Sequence, residues 1–132
     1  MSMPKILVVD DSRTIRSIVE RGLRNAGYQV ITAADGLEAI ELSQLERPDL
    51  AVLDICMPFM DGYGFCDELK SFGEPLSSLP IIFLTSIESH ALELLGNSLG
   101  AYLLKPVNVD ELLQVVESVL GKVAGDRARE PA

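Results

Sequence analysis

Short apolar runs rich in β-branched residues alternate along this chain with longer segments of helical periodicity, and this alternation restricts the possible folds more than any other feature. The breaks between segments fall where Gly, Pro, Asn and Asp cluster. The pattern predicts strands at residues 5–9, 28–33, 50–53, 81–84 and 101–104. It predicts helices at about residues 12–26, 36–47, 63–72, 88–99 and 109–123. Strands and helices in alternation are typical of an α/β domain.

The predicted strands are apolar on both faces, which indicates a sheet covered by helices on both sides. Residues 6–9, for example, are four consecutive apolar residues, and such runs are typical of parallel sheets. We therefore predict a doubly wound, five-stranded parallel sheet with the flavodoxin-like order 2-1-3-4-5 and five helices. This domain is predicted to span residues 1–124. The charged segment 125–132 has no apolar period, which favours a flexible tail or a linker.

The charge of the chain argues against several classes of partner. Eleven Lys and Arg residues against 20 Asp and Glu residues give a formal net charge of −9. An acidic surface repels phosphate backbones and anionic lipids, so we expect no direct nucleic-acid contact and no membrane binding. The apolar runs are too short to span a bilayer, and the first residues lack the apolar core of a secretory signal. We expect a cytoplasmic protein.

Polar residues follow four of the five predicted strands directly. Asp10 and Asp11 follow the first strand, Asp54 the third, Thr85 the fourth and Lys105 the fifth. Ligands of open parallel sheets bind beyond the carboxyl ends of the strands. With the predicted strand order, these five side chains share one pocket.

Each of these residues also has an ordinary structural explanation. Asp11 or Ser12 could cap the first helix, since Asp and Ser are favoured N-cap residues. Thr85, with Glu88 three positions later, fits a capping box. Capping does not, however, require two consecutive aspartates, and it does not require a lysine followed by a proline after the last strand. The group as a whole favours a functional site.

Crowded carboxylates predict a bound divalent cation. Two carboxylates about 4 Å apart repel each other by roughly 4 kcal/mol at an effective dielectric constant near 20. Oxygen ligands with several open coordination positions suit Mg²⁺. A carboxylate beside such an ion can attack a phosphoryl group, and a lysine with a hydroxyl can neutralise the transferred oxygens. The pocket is therefore interpreted as a site of phosphoryl chemistry.

Four motifs occur in the order and near the spacings of a known family. They are "VVDDS" at 8–12, "LDICMPFMDG" at 53–62, "LTS" at 84–86 and "YLLKP" at 102–106. Over about residues 4–122 the chain resembles the receiver domain of two-component response regulators. The resemblance implies phosphoryl transfer from a sensor histidine kinase or a histidine phosphotransfer protein onto Asp54.

The resemblance also implies the metal ligands. Mg²⁺ would be held by Asp11, Asp54 and the main-chain carbonyl of Cys56, with Asp10 acting through water. The family is regulatory, so the resemblance implies no turnover of substrates beyond Mg²⁺-dependent self-phosphorylation and self-dephosphorylation.

A switch is implied in the same way. Lys105 would pair with the phosphoryl group, and Thr85 would move to hydrogen-bond it. Tyr102 matches the family's switch aromatic, which turns inward when Thr85 moves. The peptide bond between Lys105 and Pro106 is usually cis in this family. The partner of the switched face would be a downstream effector protein or a C-terminal output domain.

Two alternatives from other classes stay open at this point. A Mg²⁺-dependent aspartyl-phosphate phosphatase for small substrates would resemble haloacid dehalogenases, which need a second carboxylate two residues after the nucleophile. Cys56 occupies that position. A flavodoxin-like redox or binding protein would need a phosphate loop rich in Ser, Thr and Gly after the first strand, where this chain has Asp10 and Asp11.

Overall fold

The computed structural model describes residues 3–55, 62–85 and 100–129. Within each of these ranges strands and helices alternate as predicted, and the strands are β1 (Lys5–Val9), β2 (Gln29–Ala33), β3 (Leu50–Asp54), β4 (Ile81–Thr85) and β5 (Gly100–Leu104). The helices are α1 (Arg13–Asn25), α2 (Gly36–Glu46), α3 (Gly62–Ser71) and the C-terminal helix (Val109–Arg129), and a 3₁₀ turn at Leu76–Ser78 precedes β4. The predicted helix at 88–99 lies outside the described residues.

The five strands form one parallel sheet in the order β2-β1-β3-β4-β5, which confirms the predicted topology. Val9, the last residue of β1, pairs with Ala33 of β2 on one side and with Leu53 of β3 on the other. The carboxyl ends of these strands therefore lie side by side. The residues that directly follow β1 and β3 are therefore close to one another.

The ends of the first two helices follow from side chains near them. Ser12 is the N-cap of α1, and its hydroxyl oxygen accepts a hydrogen bond from the amide of Ile15 at 3.3 Å. Beyond the last turn, Gly27 has φ +100°, a conformation that glycine adopts without strain. Asp35 caps α2 by accepting from the amide of Glu38 at 2.9 Å. These caps satisfy amides that the helices leave without internal partners.

The C-terminal helix begins as predicted and ends later. Asn108 caps its first turn by accepting a hydrogen bond from the amide of Glu111 at 3.0 Å. The predicted end at Val123 is wrong, because the helix continues to Arg129. Ala and Arg residues in segment 124–129 favour helix and offset the single glycine there. None of the described helices is both long and apolar enough to cross a bilayer. The role of residues 125–132 as a linker stays a prediction.

The apolar core lies on both faces of the sheet. On one face, Leu7 and Val9 pack with residues of α2 and α3, including Phe65 and Leu69. We call this cluster the α2–α3 core. On the other face, the alternate residues of β1 pack with α1 and the C-terminal helix. Because both faces are buried, the strands are held firmly and fix the residues that follow them.

Helix α1 and the C-terminal helix meet closely at one glycine. A Cβ atom at Gly22 would lie 2.6 Å from Cγ1 of Val109, the first residue of the C-terminal helix. Valine is short and its χ1 angle is restricted, so the side chain has little freedom to yield. A glycine at this position allows the two helices to approach.

Replacing Gly22 with alanine tests this contact. Alanine favours a helix over glycine by about 1 kcal/mol, whereas forcing a methyl group into filled space costs about 1–3 kcal/mol. We therefore expect Gly22→Ala to lower the free energy of unfolding, as measured by urea denaturation followed by far-UV circular dichroism.

The matched control is Gly121→Ala in the C-terminal helix, where an added Cβ meets no atom within 4 Å. This variant should gain about 1 kcal/mol. Gly22→Ala should become stabilising when Val109 is also alanine. If Gly22→Ala raises the free energy of unfolding as much as Gly121→Ala does, the close contact with Val109 has no destabilising effect.

Candidate functional site

The first acidic residue of the site is clamped where β1 ends. Asp10 is completely buried, and its amide donates to the carbonyl of Ala33 at 3.3 Å. Its Oδ1 accepts a hydrogen bond from the amide of Ser12 at 2.8 Å. Its main-chain carbonyl accepts one from Nη1 of Arg16 at 2.6 Å. Three residues, Ala33, Ser12 and Arg16, thus hold Asp10 in one position.

The next residue, Asp11, is exposed and does not cap the helix. Ser12 takes the N-cap position, which decides between the two capping residues that the sequence left open. Asp11 is therefore available to the pocket. One ligand oxygen from each of Asp10, Asp11 and Asp54 lies within 4.8 Å of the other two.

Asp54 comes to the pocket from the end of β3. It pairs in register with Leu84 of β4, and only 5% of its surface is exposed. The amide of the next residue, Ile55, donates to the carbonyl of Leu84 at 3.2 Å. The carboxylate is therefore fixed between β1 and β4, as the strand order predicts.

Lys105 closes the pocket from the end of β5. Its Nζ lies 3.2 Å from Oδ2 of Asp10 and 3.2 Å from Oδ2 of Asp54, and its side chain is 21% exposed. Its amide donates to the carbonyl of Thr85 at 2.8 Å. The peptide bond from Lys105 to Pro106 is cis, as the resemblance implied. One ammonium therefore bridges two carboxylates that come from different strands.

The ammonium of Lys105 stays charged in this setting. Burial lowers its pKa, but the contacts with the negative charges of Asp10 and Asp54 outweigh burial and raise the pKa above the usual lysine value. Since the folded protein favours the charged form, these contacts stabilise the fold at neutral pH. Their contribution is lost only as the pH rises through the raised pKa.

The donor set fits a hard divalent cation. All three acidic side chains offer oxygen, and their formal charge of −3 exceeds the single charge of Lys105. Oδ2 of Asp10 is buried, and no donor among the described residues meets it in hydrogen-bond geometry, although the ammonium of Lys105 lies at ion-pair distance. An oxygen of this kind can accept further positive charge. Mg²⁺, which prefers carboxylate oxygens and retains several waters, suits these residues.

The two predicted switch residues lie in β4 and β5, the strands that lead to Thr85 and Lys105 at this edge of the sheet. Thr85 ends β4 and is 2% exposed, and it pairs in register with Leu104. Tyr102 lies in β5 beside Phe83, is half-buried and packs against the α2–α3 core. The carbonyl of Thr85 accepts a backbone hydrogen bond from Lys105, and Tyr102 lies in β5, the strand that Lys105 directly follows.

The structure adds one residue to the predicted site, and one predicted residue lies outside the described part of the chain. Arg16 was not predicted to contact the site. An arginine at the start of a helix, where the helix dipole disfavours positive charge, is the feature that could have drawn attention to it. Cys56, predicted to offer its carbonyl to the metal, lies outside the described residues, and that role stays a prediction.

The chain matches a model of a known family. The model describes the response regulator receiver domain, and it matches residues 6–117. Among curated proteins, the chain is 48% identical over 118 residues to "Probable transcriptional regulator ycf27" of Cyanophora paradoxa, which covers 88% of this chain and 48% of that protein. It is 41% identical over 128 residues to "Response regulator MprA" of Mycobacterium leprae, covering 96% of this chain and 55% of that protein. The chain thus spans about half the length of these curated relatives.

Solved structures agree with this assignment. The chemotaxis protein CheY4 of Vibrio cholerae superimposes with a TM-score of 0.82 at 38% identity, covering 89% of this chain and 99% of that one. A putative response regulator from Chloroflexus aurantiacus gives a TM-score of 0.81 at 33% identity, covering 91% and 99%. The matched family is regulatory rather than catalytic, and nothing in these matches supports the phosphatase alternative. The sheet order, the acidic pocket and the extent of the family match together show that this chain belongs to the response regulator receiver domain family.

Proposed function

We propose that Asp54 accepts a phosphoryl group from the phosphohistidine of a sensor histidine kinase or a histidine phosphotransfer protein. The observation that carries this proposal is the position of its carboxylate. It is 3.2 Å from the ammonium of Lys105 and within 4.8 Å of ligand oxygens of Asp10 and Asp11. A nucleophilic carboxylate with a fixed cation beside it is arranged to receive an anionic group.

The transfer balances without another reactant. A carboxylate oxygen of Asp54 attacks phosphorus, and the bond between phosphorus and the histidine nitrogen of the donor breaks as the new P–O bond forms. The electron pair returns to the imidazole, which takes up a proton. Lys105 offsets charge on the phosphoryl oxygens, and its raised pKa keeps it protonated during the step.

Asp10, Asp11 and Asp54 are the described residues that would hold Mg²⁺. The resemblance adds the carbonyl of Cys56 and gives Asp10 a role through water. The contacts of Asp10 support that role, since one of its oxygens already accepts from Ser12 and the other faces Lys105. When bound, Mg²⁺ supplies positive charge that neutralises phosphoryl oxygens.

Phosphorylation would then be read through Thr85 and Tyr102. A phosphoryl group on Asp54 offers oxygens to the Thr85 hydroxyl, and Tyr102 turns inward as Thr85 moves. The half-buried position of Tyr102 against the α2–α3 core supports this role, because part of the ring is still exposed and can become more buried. The changed face binds a downstream effector protein or an output domain. Hydrolysis by water returns the protein to its initial state.

The names and lengths of the relatives support an output domain that acts together with this receiver domain. One is named a probable transcriptional regulator and another a response regulator, and each is about twice the length of the match. We infer that in the whole protein a C-terminal domain delivers the output, whereas the acidic receiver itself contacts protein rather than nucleic acid. Because phosphohistidine is made from ATP, the proposed role supports a cytoplasmic location.

Intact-mass analysis with acetyl phosphate and Mg²⁺ tests the acceptor. We expect the parent to gain the mass of one phosphoryl group, since the donor is small enough to reach the pocket without a kinase. The gain should depend on Mg²⁺ and should be absent in Asp54→Asn. The matched control is Asp67→Asn on the exposed surface of α3, which should be labelled like the parent. A full mass gain in Asp54→Asn would place the acceptor elsewhere.

Thermal melts with and without Mg²⁺ test the charge crowding. In chelator, we expect Asp11→Asn to melt at or above the parent temperature, because it removes one of three crowded carboxylates and leaves the Ser12 cap in place. A cation at 100 times its dissociation constant stabilises the fold by about 2.7 kcal/mol. The rise in melting temperature on adding Mg²⁺ should therefore be clear in the parent and small in Asp11→Asn.

Asp67→Asn again serves as the control and should respond to Mg²⁺ like the parent. Two results would reject the account of crowding. One is a clear loss of stability of Asp11→Asn in chelator, and the other is an equal response of both variants to Mg²⁺.

A further inference from the structure

Arg16 makes an unusual contact for a residue at the start of a helix. Its own amide donates to the carbonyl of Ser12 at 3.0 Å, so its backbone belongs to α1. Its side chain reaches back beyond the cap, and Nη1 donates to the main-chain carbonyl of Asp10 at 2.6 Å. The contact therefore joins the helix to the residue at which β1 ends.

The stability of α1 does not explain an arginine here. The amino-terminal end of a helix carries partial positive charge, which disfavours cations. The first turn of α1 also has no acidic residue that would offset Arg16. The side chain is used instead for a short hydrogen bond with a charged donor, a strong type of contact.

The carbonyl that Arg16 holds belongs to the peptide unit between Asp10 and Asp11. A peptide unit is planar, so fixing its oxygen also fixes the direction in which the chain leaves toward Asp11. The carboxylate of Asp10 has other contacts, with Ser12 and Lys105. Asp11 is exposed, so core packing does not hold it. The bond from Arg16 restrains the backbone that places this second carboxylate.

We infer that Arg16 is a positioning residue for divalent-cation binding by Asp11. The inference rests on the proposed Mg²⁺ site and adds a residue to it. The direction of the change in Mg²⁺ affinity distinguishes a positioning role of Arg16 from a simple effect of its charge. Removing a positive charge near the pocket would by itself strengthen cation binding. Loss of positioning would weaken binding, because the carboxylates would have to be ordered when the cation binds.

The chain offers a matched control on the same helix. Nη2 of Arg24 donates to the main-chain carbonyl of Val30 at 2.9 Å, at the end of α1 away from the site. Arg16→Gln and Arg24→Gln each remove one positive charge and one bond from a guanidinium to a strand or strand-end carbonyl. The two variants differ in whether that carbonyl belongs to the acidic pocket. Arg24→Gln also removes the ion pair of Nε with Glu20 at 2.9 Å, which makes it the more disruptive change on the helix surface.

Isothermal titration calorimetry with MgCl₂ on the folded chain measures the effect. We expect Arg16→Gln to raise the Mg²⁺ dissociation constant about tenfold, as is typical of residues that orient metal ligands. Arg24→Gln should bind Mg²⁺ like the parent. Equal affinities of the two variants, or tighter binding by Arg16→Gln, would overturn the inference.

Two further outcomes are separated by the same titration. If Arg16→Gln does not fold, Arg16→Met replaces it, because methionine also removes the positive charge and leaves no hydrogen-bond donor on the side chain. An affinity of Arg16→Met equal to or tighter than that of the parent would overturn the inference, and a weaker affinity would support it. A parent that binds no Mg²⁺ rejects the proposed metal site itself, whereas a parent that binds while both arginine variants match it rejects only the role of Arg16.

Discussion

The structure of the site depends on the mutual repulsion of three carboxylates that share one lysine. Oxygens of Asp10, Asp11 and Asp54 lie within 4.8 Å of one another, and each pair at that distance repels by about 3.5 kcal/mol at an effective dielectric constant near 20. Asp10 and Asp54 are buried, so water screens them poorly. The ammonium of Lys105 touches both but carries only one charge. The net charge of the pocket therefore stays negative, which favours binding of a further cation.

The parallel sheet makes this crowding possible. Charges that repel must be held by parts of the fold that do not relax, and here the carboxylates lie at the ends of β1 and β3, with the attracting Lys105 after β5. The residues of β1 and β3 that enter the core are completely buried, with helices on both faces of the sheet. Opposing packing fixes the strand ends, and backbone hydrogen bonds such as that from Lys105 to Thr85 fix the residues that follow. The stability of the core is thus the condition for an electrostatically unfavourable site.

Much of this arrangement could be predicted from the sequence because the relevant rules concern the backbone. Buried runs indicate parallel strands, and the carboxyl ends of such strands meet at one edge, which brings Asp10, Asp54 and Lys105 together. The N-cap of α1 and the contact of Arg16 with the site were harder to predict. Asp11 and Ser12 are both favourable caps, and only the folded turn shows that Ser12 takes the position. The long side chain of Arg16 reaches backward to a carbonyl, and helical periodicity contains no information on such a contact.

The central claim is that the carboxylate of Asp54 itself carries the phosphoryl group. Reduction with borohydride after phosphorylation tests it most directly, because hydride converts an acyl phosphate of aspartate into homoserine and leaves ordinary carboxylates unchanged. Peptide mapping by mass spectrometry should then find homoserine at position 54 and aspartate at positions 10 and 11. Homoserine at position 10 or 11, or a stable phosphate ester on a serine or threonine with position 54 unchanged, would contradict the account.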